Sequence, residues 1–156
     1  MSTDKYYMIE DAYRLAFYNV VKDTQSRSGL ELPEHIEAYV VMLLANFVDK
    51  PDFLPKESFA EAYLKLSRPG NLSAKELGDT CLFVTGVFPT YGRKYGINRN
   101  YYMKIGIGSY QMVAEVMHGD LFGSLAQHFE FLSDFIDTTI HSATELRSNL
   151  FRLYSL

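Results

Sequence analysis

An all-α bundle is the fold this sequence predicts, and three observations predict it. Apolar residues recur at spacings of three and four along nearly the whole chain, no segment sustains the alternation of a half-buried strand, and Gly, Pro and short polar residues punctuate the chain where helices would start and stop. Hydrophobic residues are 47% of the 156, enough for one core, so a single domain of six or seven helices is expected and disorder is excluded.

The first predicted helix carries the stripe Tyr6, Ile9, Tyr13, Ala16, Phe17, Val20 and Val21, with Gly29 to close it. Pro33, suited to a first turn, opens a second helix whose face is Ile36, Tyr39, Val40, Leu43, Leu44 and Phe47. After the break "DKPDFLP", Phe59, Ala62, Tyr63 and Leu66 predict a short third helix ended by "SRPG". Ser73 with Glu76 is a capping-box pair, which starts a fourth helix near Ala74; Phe88-Pro89 stops it.

Asn98 or Asn100 can cap a fifth helix that runs to the region of His118, where Gly119 is placed to end it. Asp120 is expected to cap one long sixth helix with Leu121, Leu125, Phe129, Leu132, Ile136 and Ile140 on one face. Ser142 with Glu145 offers another capping box, so Ala143, Leu146, Leu150 and Leu153 belong to a separate helix or to a continuation.

The stretch from Gly78 to Tyr110 holds six of the ten glycines and five of the twelve tyrosines. A glycine inside a helix costs about 1 kcal/mol against alanine, so Gly86, Gly106 and Gly108 need a compensating reason. A close crossing of helices four and five near Gly86 and Gly106 is the simplest one. The "GIGSY" segment lacks the third glycine, the preceding strand and the later acid of a dinucleotide fingerprint.

Charge is more informative. The net charge is -4 and the pI about 5.5, which gives no overall attraction to nucleic acid or anionic membrane. Yet no acidic residue lies between Asp79 and Glu115, whereas Arg93, Lys94, Arg99 and Lys104 do. This basic segment leads into a helix N-terminus, which favours an anion, and Tyr91, Tyr95, Tyr101 and Tyr102 add rings with hydroxyls. A ligand or partner contact at Tyr91, Arg93, Lys94, Tyr95, Arg99, Tyr101 and Tyr102 is therefore expected, taking an anionic ligand or an acidic protein surface. The competing reading has the four cations solvated or paired with acids elsewhere.

Other chemistry is thin. A di-iron bundle needs two Glu-x-x-His motifs, and only Glu115 with His118 has that spacing. His35, His118, His128 and His141 form no zinc pattern, and Cys81, among Leu82, Phe83 and Val84, reads as a small buried hydrophobe. No metal, cofactor or catalytic set is expected. Asp79, in the first turns of an apolar helix, should pair with an Arg on a neighbouring helix, or else join a ligand pocket with Tyr102 or Tyr110.

The chain lacks the pattern of a secretory leader, and its apolar runs are too short to span a bilayer, so a cytoplasmic protein without membrane attachment is expected. Gly78-Asp79, Leu82-Phe83, Gly86, Phe88-Pro89, Tyr101-Tyr102, Gly106 and Tyr110 are the features by which it resembles a group of small uncharacterised bacterial all-helical proteins. That resemblance, loosest at its ends and covering mainly residues 36–136, implies a bacterial, cytosolic origin and lends no activity.

Two functions compete. The favoured one is a non-enzymatic interaction or regulatory protein, self-associating because 23 aromatic residues are many for one core. The alternative is a small-molecule binder or enzyme with a pocket between helices near residues 79–86, 102–110 and 122–129, formed by Asp79, Tyr110, Phe122 and Phe129. No specific nucleic-acid partner is expected.

Overall fold

The structure is a computed structural model that describes residues 2–48, 50, 54–55, 57–66, 73–117, 119–144 and 146–148, with side chains described from residue 12 onward. The side chains of Tyr6 and Ile9, the "SRPG" stop, His118, Glu145, Leu150 and Leu153 lie outside these.

The fold is all-α. Among the described residues there is no strand; the elements are α1 (Ser2–Ser28), α2 (Glu34–Phe47), α3 (Phe59–Leu64), α4 (Ala74–Val87), a 3-10 turn at Arg93–Tyr95, α5 (Arg99–Val116), α6 (Leu121–Gln127) and α7 (Phe129–Ser142). Their contacts gather into two compact units, one of residues 1–51 and 138–156 and one of residues 52–137.

In the first unit α1 packs on α2. Gly29, at φ +67, ends α1 in the left-handed region, and the Leu30 N–H closes the turn on the Gln25 carbonyl at 3.1 Å. Pro33 stands just before α2, one position earlier than the first-turn place expected of it; its carbonyl accepts from the N–H groups of Ile36 and Glu37.

In the second unit α5 is central, touching α3, α4 and α6. The caps are those the side chains demand: Ser73 and Glu76 close a reciprocal capping box on α4, Ser58 caps α3, and Asn98 caps α5 by accepting from the Tyr101 N–H. Asp120, by contrast, makes no side-chain cap on α6.

Two expectations are corrected. The long sixth helix is two helices that meet at His128, whose φ of -105 and ψ of 20 bend the axis although the Leu132 N–H still reaches the His128 carbonyl. The bend accompanies the seating of the Phe129 ring over Gly106, a tertiary fit that periodicity does not encode. The glycines are packing residues, but with other neighbours: a Cβ at Gly106 would lie 2.7 Å from the Cβ of Cys81 on α4, while one at Gly86 would strike Ile136 of α7 at 2.6 Å. Gly86 lies five residues beyond Cys81, roughly 140° further round the helix, so one residue faces α5 and the other cannot.

Candidate functional site

The connection between α4 and α5 is a loop braced by its own backbone hydrogen bonds. Gly92 and Gly96, at φ +86 and +76, flank the 3-10 turn, and the Gly92 carbonyl accepts from both the Tyr95 and Ile97 N–H groups at 2.9 and 3.0 Å. Further backbone bonds run from Tyr91 to Phe88, from Arg93 to Thr90 and from Gly96 to Arg93. The loop encloses a cleft of about 470 Å³ lined by Pro89, Thr90, Tyr91, Arg93, the Gly96–Asn98 segment and Arg99. Among the described residues no carboxylate lines it.

The sequence-predicted contact residues fall into three groups. Arg93 and Lys94 are exposed and, among the described residues, neither has a carboxylate partner; Lys94 lies over the ring of Tyr95, 5.2 Å from its centroid, and Tyr95 itself is 74% exposed. Lys104 is exposed on α5 but does not line the cleft.

Arg99 is occupied structurally. Its Nε donates to the Thr85 carbonyl at 3.0 Å, an acceptor in the last turn of α4, and its Nη1 pairs with Asp134 at 2.7 Å, while Nη2 is sealed from solvent without a hydrogen-bond partner among the described residues.

Tyr91, Tyr101 and Tyr102 form the third group, drawn into a ring cluster around Phe59. Tyr102 meets Phe59, Tyr91 and Tyr101 at centroid distances of 4.9, 5.4 and 5.0 Å. Tyr102 is buried, which pushes its phenol up to about 12, and burial raises Tyr91 as well. The Tyr101 hydroxyl accepts the Ala60 N–H at 3.0 Å. Of the four tyrosines, then, Tyr95 is exposed, Tyr91 and Tyr101 are part-exposed, and Tyr101 and Tyr102 meet residues of α3.

The pocket residues expected of the alternative function do come together, as packed core. Tyr110 and Phe129 are fully buried, and Tyr110 meets Phe122 and Phe129 at 5.8 and 5.9 Å. The Asp79 Oδ1 accepts from the Tyr110 hydroxyl at 2.7 Å and its Oδ2 pairs with Lys75, one turn earlier, at 2.9 Å. Burial pushes the Cys81 thiol far above its ordinary value, which removes it as a nucleophile at neutral pH.

Among the described residues no group of three His, Cys, Asp or Glu side chains is placed to hold a metal, and no helix is long and apolar enough to cross a membrane.

A second cleft, which sequence reasoning missed, lies between α1 and α2. It has a volume of about 760 Å³, with walls that include Leu15, Tyr18, Val41 and Met42 and charged lining from Arg14, Lys22, Glu31, Glu34 and Glu37. Glu37 is the unusual member, buried to 9% side-chain exposure although it sits in the first turn of a helix. Burial works to raise its pKa, but the hydrogen bonds from Gln25 at 2.6 Å and Lys22 at 2.9 Å outweigh this and hold it below the ordinary carboxylate value. The available signal was Glu37 at the apolar spacing of Ile36, Val40 and Val41, a carboxylate where the pattern wants a hydrophobe.

No family model matches the chain, and no curated protein or solved structure matches it.

Proposed function

We propose that the protein is a non-enzymatic interaction module that receives an acidic segment of a protein partner at the α4–α5 loop. One observation carries this reading: the loop cleft is lined by the exposed, unpaired Arg93, with Lys94 next to it in the chain and no carboxylate in the lining among the described residues, in a chain whose net charge is -4; the charge of Arg99 is already matched by Asp134. At the cleft's edge the N–H groups of Arg99 and Asn100, the first of α5, have no intrahelical acceptor, so they and the helix dipole add to the attraction for an anion. The two positive-φ glycines and the loop's backbone bonds hold these donors in place before a partner arrives, which lowers the ordering cost of binding. Tyr91 and Tyr95 supply the apolar contact that charge alone lacks.

The test is a nuclear magnetic resonance titration of the full chain with a glutamate-rich peptide. Amide shifts confined to residues near Gly92–Tyr101, weakening with salt and lost in Arg93→Gln/Lys94→Gln, are expected; exposed charge pairs each contribute only about 0.2 to 1 kcal/mol, so the affinity should be modest. Equal shifts in wild type and double variant, or none in either, would refute the reading.

The same proposal keeps the chain a self-associating protein of the bacterial cytosol. Exposed Val116 and Met117 at the end of α5 are apolar surface suited to a second copy, and sedimentation of monomer alone at micromolar concentration would remove that part.

A further inference from the structure

The α1–α2 cleft carries an inference independent of the loop. Its ionisable lining is two cations, Arg14 and Lys22, against three carboxylates, Glu31, Glu34 and Glu37, so the cleft is net negative by one charge. Lys22 is already committed, since its ammonium and the Gln25 amide both bond the same Glu37 oxygen, Oε2. The other oxygen, Oε1, has no hydrogen-bond partner among the described residues.

A carboxylate with two donors on one oxygen, and with its second oxygen left to the solvent of the cleft, is a directional acceptor available to a ligand. Around it the wall is apolar, yet Leu15, Tyr18 and Met42 stay 61, 43 and 46% exposed. Such surface gains from being covered by an apolar body.

The geometry points to a binding site for a small organic ammonium ion, whose N–H group bonds Glu37 Oε1 while its hydrocarbon part lies along Leu15, Tyr18 and Met42. A single positive charge matches the excess negative charge of the cleft. The Tyr18 ring, which already attracts the Lys22 ammonium at 5.7 Å, is a second favourable surface for a cation. A neutral amphiphile of the same shape would gain the wall and lose the charge.

The experiment is a titration of the full chain with hexylammonium, followed by amide shifts in α1 and α2, beside hexanol as the uncharged match. Hexylammonium should bind with shifts centred on residues 14–22 and 34–42, at least about tenfold more tightly than hexanol, a ratio equal to roughly 1.4 kcal/mol. Glu37→Gln should bring the two probes to parity, and Met42→Ser should weaken both. Equal affinity of the two probes for the wild type, shifts elsewhere, or an unchanged preference in Glu37→Gln would overturn the proposal. The wild-type comparison of probes stands even if Glu37→Gln fails to fold. A dimer that hexylammonium does not perturb and that Met42→Glu dissociates would also overturn it, by making the cleft an interface between copies.

Discussion

Tyr110 on α5 lies with its ring over the bare Cα of Gly78 on α4 and donates its hydroxyl to the next residue, Asp79, at 2.7 Å. A Cβ at residue 78 would stand 2.6 Å from that ring, so the glycine makes room for the tyrosine and the aspartate fixes its far end. Packing and polarity at the α4–α5 contact are thus one arrangement: a fully buried ring whose single polar atom has a carboxyl oxygen as its acceptor.

Tyr110→Phe should therefore destabilise the protein although it keeps the ring. Loss of a hydrogen bond to a charged acceptor costs roughly 1.5 to 3 kcal/mol, and the lower end is expected here because Asp79 keeps Lys75. Chemical denaturation that puts the variant within about 0.5 kcal/mol of wild type would show that the bond contributes nothing net.

Two glycine-to-alanine changes should have opposite signs. At Gly106 the added methyl collides with Cys81 and Phe129, and overpacking of this kind costs about 1 to 3 kcal/mol. At Gly123, inside α6, nothing lies within 4 Å, so Gly123→Ala should stabilise by about 0.5 to 1 kcal/mol through helix propensity and unfolded-state entropy. Thermal midpoints that move in the same direction would contradict the packing described.

Arg99→Gln and Asp134→Asn break the same ion pair and should not cost the same. Asp134 is 61% exposed, so its loss should stay within about 0.5 kcal/mol. Arg99 also bonds the Thr85 carbonyl at the end of α4, and its replacement should cost about 1 kcal/mol more. Equal costs would mean that the carbonyl contact is idle.

Alkaline titration should weaken the fold through Tyr102. Its folded-state pKa is raised from 10.0 to about 12, chiefly by burial, so its contribution is intact below pH 10 and is lost as pH rises from 10 through about 12. In Tyr102→Phe the fall in stability over that window should be shallower, with Tyr91 and Cys81 supplying what remains. An identical slope would assign the alkaline sensitivity elsewhere.

Acid should act through Glu37 in the opposite sense. Because its folded pKa is depressed below the ordinary value of 4.5, its contribution is present above about pH 4.5 and is lost as pH falls through the depressed value. Amide exchange in α1 and α2 should accelerate there, and the change should be smaller in Glu37→Gln.

Local rules were enough to read the helix ends marked by caps, though not the break at His128. Ser73 with Glu76 announces α4, Asn98 announces α5 and Gly29 ends α1, because a cap is satisfied by groups within about four residues of it. The basic, acid-free segment was legible for the same reason, since charge counts need no geometry. Tertiary structure alone decided what those residues face. Arg99 meets Asp134, 35 positions away, and Tyr110 meets Asp79, 31 positions away. Which of Cys81 and Gly86 on α4 faces α5 depends on how the helices are turned, and whether Tyr102 greets a ligand or Phe59 depends on where α3 comes to rest. Glu37 is the clearest instance: its sequence neighbours mark a helix start that attracts acids, and only the packing of α1 on α2 buries its carboxylate at a cleft with one oxygen spoken for and the other open.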